Sequence, residues 1–137
     1  MVTNPKSSPE NEACKNWLSM LAYKGVEIVI PEIADYEVRR ELLRAGKERG
    51  LARLDALKGM LRYMPITTLV MVKAAEFWAA ARKAGRQSTD DASLDADMIL
   101  AAQASALVRA VDETVIATTN VRHLALFASA RIWREIG

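Results

Sequence analysis

The segment from 93 to 110 constrains this chain more than any other. Met98, Ile99, Leu100, Ala101, Ala102, Ala104, Ala106, Leu107 and Val108 leave it apolar almost all round. A helix of that kind has to be enclosed by other elements. It cannot instead cross a membrane, because no window in the chain approaches the ~18 uninterrupted apolar residues a span requires. Its alanines let it lie close against a sheet. That placement brings the carboxylates at its N-terminal end near the core, where a charge is costly unless it is paired or metal-bound.

The neighbouring segments supply the sheet and the remaining helices. Val26-Glu-Ile-Val-Ile30 is a short β-branched run closed by Pro31, the pattern of a buried strand. It leads directly into a helix over 32 to 45, with Glu32 and Asp35 in the first turn and Gly46 at the break. A helix before the strand, over 10 to 24, carries Ala13, Trp17, Met20 and Leu21 on one stripe, with Ser8 as N-cap and Pro9 at its first position. A third helix over 51 to 63 aligns Leu51, Leu54, Leu57 and Leu61, and Pro65 stops it. Residues 64 to 67 have the character of a short edge strand, 69 to 84 of a fourth helix, and 86 to 92 of a loop. Val115-Ile-Ala-Thr-Thr119 is the second clear strand and 131 to 134 a last one. Strands separated by helices predict α/β architecture, with βαβ crossovers and a parallel sheet between helical layers.

A length of 137 residues fits a single domain over 1–137. One cysteine, Cys14, and one histidine, His123, exclude both an intramolecular disulfide and a Cys/His zinc cluster. The N-terminus has no apolar core of a signal peptide, so a cytoplasmic location without membrane insertion is expected. Net charge is only +2, but it is unevenly spread. From 39 to 62 there are eight basic residues (Arg39, Arg40, Arg44, Lys47, Arg49, Arg53, Lys58, Arg62) against three acids, whereas Asp90, Asp91, Asp95 and Asp97 share eight residues that contain no base. A basic surface beside an acidic pocket suits a metal-dependent enzyme acting on nucleic acid.

In open α/β sheets ligands bind beyond the carboxyl ends of the strands. By that rule Glu37, in the helix after the first strand, Asn120, just after the strand 115 to 119, and Asp97, in the first turn of the apolar helix, are candidates to converge. Three segments carrying them resemble the PIN-domain family of VapC-type toxin ribonucleases. Pro31-Glu-Ile-Ala-Asp-Tyr-Glu-Val-Arg-Arg-Glu-Leu is similar to the family's helix with a glutamate just inside it, here Glu37. Leu94-Asp-Ala-Asp-Met-Ile-Leu-Ala-Ala-Gln-Ala is similar to its D-x-[IL]-[IL]-A-A-x-A helix, with Asp97 as the acid. Thr118-Thr-Asn-Val-Arg-His-Leu is similar to its T-x-[DN]-x-x-[DH]-[FL] segment, with Asn120 at the site position.

The resemblance implies a three-layer α/β/α fold and a Mg²⁺- or Mn²⁺-dependent ribonuclease. Glu37 and Asp97 would be the metal ligands, Asn120 and the Thr118 hydroxyl would position phosphate or water, and Arg39, Arg40 and Arg122 would grip RNA phosphates. It also implies an antitoxin protein as partner and a homodimer. One departure stands out. The family opens with a central strand ending in Asp-Thr or Asp-Ser, whereas here only Val2-Thr-Asn-Pro5 precedes the first helix. The expectation is therefore a sheet without its first central strand and a site without its first carboxylate, the start at Met1 having been placed too late. Two other readings compete with the ribonuclease. A catalytically inactive PIN-like nucleic-acid-binding or protein-interaction module fits the missing aspartate. A nucleotide-binding doubly wound domain fits less well, because no G-x-G-x-x-G or G-x-x-x-x-G-K-[ST] follows a strand. Against site roles stand a solvated Glu37, an Asp97 that merely favours the helix dipole, an ordinary turn at Asn120 and a structural His123.

Overall fold

The computed structural model describes residues 9–85, 91–107, 113–119 and 121–137, without the side chains of Glu10, Asn11, Asp91, Ala92 and Arg122. The chain divides into two compact units, Met1–Met64 with Gly137, and Pro65–Ile136. The expected Ser8 cap and the segment 2 to 5 lie outside the described residues.

The first unit holds α1 (Pro9–Tyr23), β1 (Val29–Pro31), α2 (Glu32–Arg44), α3 (Glu48–Met60) and β2 (Arg62–Met64). β1 and β2 pair in parallel, Val29 opposite Arg62 and Pro31 opposite Met64. A parallel pair needs a crossover, and α2 with α3 provides it. The sequence reading ran α3 through Tyr63, but the helix stops at Met60 and Tyr63 lies in β2. Pairing with β1 satisfies backbone groups that a last helical turn before Pro65 would leave open, so tertiary context decides here. Between α2 and α3 the chain turns at Gly46, whose φ of +67° is the left-handed conformation that favours glycine. There Lys47 N–H bonds to Leu42 C=O at 2.9 Å, which closes the last turn of α2.

The apolar faces follow the expected ones in part on α1 and throughout α3. On α1, Leu21 is buried and Trp17 half-buried, as read in the sequence, whereas Ala13 and Met20 are exposed and Cys14 is buried. On α3, Leu54 is buried between half-buried Leu51 and Leu57, as the leucine spacing requires.

The second unit holds α4 (Thr68–Lys83), α5 (Asp91–Leu107), β3 (Ile116–Thr118) and β4 (Ala130–Ile132), with 3-10 turns at Arg122–Leu126 and Trp133–Glu135. β3 and β4 also pair in parallel. Leu94, Met98, Ala101, Ala102, Gln103 and Ala104 of α5 are all buried, which is the enclosure its composition demands. α5 packs along α4, where Val70, Ala74 and Ala81 are buried. Alanines on both helices allow the axes to approach closely. Ala101, Ala104, Ile116 and Leu124 form a core joined by Phe77 and Phe127, whose rings stack with centroids 4.4 Å apart. Among the described residues no helix is long and apolar enough to cross a membrane. The fold is α/β with parallel strands and helical crossovers.

Candidate metal and RNA site

Pro31 ends β1 in extended conformation (φ −75°, ψ 142°), and α2 starts at the next residue. The first turn of α2 therefore stands directly beyond the carboxyl end of a parallel strand, where open α/β sheets place ligands. Glu37 lies in the second turn and is partly exposed. Its carboxylate is 3.9 Å from the Arg40 guanidinium, whose side chain also lies over the Tyr36 ring, 5.2 Å from the centroid. An ion pair of that length at the surface is weak. A shallow groove of about 530 Å³ runs along this helix, lined by Glu37, Arg40, Glu41, Arg44 and Lys47 over Val38, Leu42 and Ala45. It combines oxygen ligands with cations suited to phosphate.

Asp97 is half-buried on α5, next to fully buried Met98 and one turn from fully buried Leu94 and Ala101. α5 begins at Asp91, earlier than the sequence suggested, so Asp97 sits in the second turn and not the first. The field of a helix N-terminus fades within its first turn. That position weakens the dipole reading of Asp97. Thr118, at the end of β3, is half-buried. Asn120, Asp90, and the side chains of Asp91 and Arg122 lie outside the described residues. Glu37 belongs to the first unit, and Asp97 and Thr118 belong to the second. Among the described residues no group of three or more His, Cys, Asp or Glu is arranged to hold a metal ion. The donors at hand are carboxylate oxygens, the ligands that hard divalent cations such as Mg²⁺ and Mn²⁺ prefer.

The sequence reading missed a charge network on the opposite side of α2. Asp35 is buried, and the Arg39 guanidinium bonds to it at 3.0 Å and to Asp55 of α3 at 2.8 Å. These two hydrogen bonds, Asp35's first, raise the Arg39 pKa above its ordinary value. Arg39 was singled out for phosphate binding, and here it is engaged by two carboxylates. A signal for one of these contacts was present in the spacing, since an acid four residues before an arginine on a helix forms such a pair. Asp55 has no comparable local signature.

Tyr63 extends the network. Its hydroxyl donates to Glu32 at 3.1 Å, and the Lys58 ammonium lies 4.3 Å over its ring. Burial, followed by the bond to Glu32, pushes the Tyr63 pKa up to about 12. The folded protein then keeps a proton that the unfolded chain releases near pH 10. This contribution to stability is whole below about pH 10 and is lost as pH rises towards about 12. Alkaline absorbance titration of the protein against its Tyr63→Phe variant should show one tyrosinate forming at about pH 12. A difference step near pH 10 would contradict the arrangement. His123 is buried in the 3-10 turn Arg122–Leu126, as a structural histidine would be.

The family model described as PIN domain matches residues 2–128. The chain belongs to the PIN-domain family. Members of this family are generally divalent-metal-dependent nucleases. None of the curated proteins matches this PIN-domain chain. Among solved structures it is similar to one described as VapBC2 from Rickettsia felis bound to a DNA fragment from their promoter, with 16% identity and a TM-score of 0.68. The match covers 95% of this chain and 89% of the other. At that identity the likeness establishes the fold.

Proposed function

We propose that this PIN domain is a Mg²⁺- or Mn²⁺-dependent ribonuclease, built as one functional domain over 1–137. The family match carries this reading, because its span, residues 2–128, takes in Glu37, Asp97, Thr118 and Asn120 together. Two features support it: Glu37 stands beside Arg40 beyond the end of β1, and Asp97 is a half-buried acid in the second turn of α5, next to fully buried Met98.

In this reading Glu37 and Asp97 hold the ion through carboxylate oxygens. When bound, a divalent ion of this kind offsets charge on the scissile phosphate and makes a water acidic enough to attack it. Arg40 and Arg122 grip neighbouring phosphates, contacts that are blind to base sequence and weaken with salt. The Thr118 hydroxyl and the Asn120 amide orient the phosphate or the incoming water. Arg39, engaged by Asp35 and Asp55, belongs to the scaffold of this site. The structural likeness to a VapBC2 complex supports an antitoxin protein as partner of this chain. In the same reading the protein is a toxin that acts as a homodimer in the cytoplasm.

The test is cleavage of RNA by the purified full chain in Mn²⁺, with and without EDTA. Cleavage that stops on chelation is expected. RNA retention without turnover, indifferent to chelator, would instead favour the inactive binding module.

A further inference from the structure

Glu32, Asp35 and Arg39 lie on one face of α2, and each is tied to another element of the first unit. Tyr63 of β2 bonds to Glu32 at 3.1 Å. Lys58 of α3 stands 4.0 Å from Asp35 and 4.3 Å over the Tyr63 ring. One Arg39 nitrogen, Nη2, bridges Asp35 at 3.0 Å and Asp55 at 2.8 Å. Six side chains thus form a continuous chain from β2 through α3 to the first two turns of α2.

Apolar packing alone holds this helix poorly. Its fully buried residues are Ile33 and Asp35, with Ala34 and Leu42 half-buried, so few apolar side chains anchor it and the polar contacts help to fix its roll. At about 100° per residue, positions 32, 35 and 39 fall within about 60° of one another, and position 37 lies about 170° from their mean. The direction of Glu37 is therefore set by whatever grips the opposite face.

We propose that Arg39, by bridging Asp35 and Asp55, is a positioning residue that sets the rotation of α2 and hence the direction in which Glu37 presents its carboxylate. A guanidinium suits this task because its donors diverge in a fixed plane, whereas an ammonium is a point charge on a flexible stem. The functional consequence rests on reading Glu37 as a metal ligand; the lock on the helix does not.

Two measurements separate these. In a Cys14→Ala background, nitroxide labels at Glu37→Cys and Gly59→Cys report the distance between α2 and α3 by electron paramagnetic resonance. Position 59 is open on α3, with nothing near an added Cβ. A single narrow distribution is expected. It should broaden or shift on adding Arg39→Met or, more mildly, Asp55→Asn, and stay put on adding Lys73→Met, which breaks the exposed Lys73–Glu76 pair on α4. Without labels, Arg39→Met should lower kcat for RNA by on the order of 10- to 100-fold with KM little changed, since small misplacements of a reacting group cost that much. Asp55→Asn, at an exposed position, carries the test if Arg39→Met does not fold. An unaltered distribution in both variants, or an equal change in Lys73→Met, overturns the lock. A rise in KM with a shallower salt dependence and constant kcat makes Arg39 a phosphate ligand and overturns it as well. If the unmodified chain cleaves no RNA, the ribonuclease reading fails while the label distances still decide whether Arg39 fixes α2.

Discussion

Asp97→Asn should reduce metal-dependent RNA cleavage by at least about 100-fold, because an ion's stabilisation of transition-state charge amounts to several kcal/mol and each ~1.4 kcal/mol is a factor of ten. The substitution keeps the shape of the side chain and removes only its charge. Asp97 is half-buried, and an amide of the same shape keeps the packing around fully buried Leu94, Met98 and Ala101. The melting temperature should therefore change little while activity collapses. Measuring both on one preparation distinguishes a site residue from a structural one. An acid placed there for the fold would lose stability and activity together, and that result would count against the assignment.

The second large effect concerns the enclosed helix itself. Leu94 is fully buried on α5 and is among the largest side chains that are. Leu94→Ala should cost about 2–5 kcal/mol, the range for emptying such a site, out of the roughly 5–15 kcal/mol that holds a domain together. In urea the midpoint should fall with the slope unchanged. The neighbouring Asp95 is exposed, and Asp95→Ala should change stability by no more than about 0.5 kcal/mol. Equal losses in the two variants would mean that α5 is not enclosed as described.

α5 was the most legible part of the fold because its signal is purely compositional: a helix without a polar face has to be covered, whatever covers it. The strands β1 and β3 were legible for a related reason, as β-branched runs bounded by breakers. Each pairs in parallel with the next strand along the chain, β1 with β2 and β3 with β4, and the α/β alternation predicted that parallel sense. Less could be read where a tertiary contact competes with a local pattern. Tyr63 follows the leucine stripe of α3 with no breaker before Pro65, yet it serves in β2, because β1 offers its backbone partners. On α1 the inward turn of Trp17 and Leu21 was legible, and only packing buries Cys14 and leaves Ala13 and Met20 exposed.

The candidate site was legible residue by residue but not as an arrangement. Glu37 and Asp97 stand out because of the segments that carry them, a helix entered straight from a strand and an apolar helix. Glu32, Asp35, Arg39, Asp55 and Lys58 each resemble ordinary helix-surface charges, and their value lies in contacts between α2, α3 and β2. Of those contacts only Asp35 to Arg39 leaves a trace in the spacing. A charge-rich helix pair therefore hides its internal bonds among residues that also suit nucleic-acid binding.

Binding of Mn²⁺ to the full chain, followed by the electron paramagnetic resonance signal of the ion, addresses the central claim without requiring turnover. Glu37→Gln and Asp97→Asn should each weaken binding by at least about tenfold, as loss of a carboxylate oxygen from a divalent site does. A double variant, Glu37→Gln with Asp97→Asn, that takes up the ion as tightly as the unaltered chain would show that these two acids do not form a metal site.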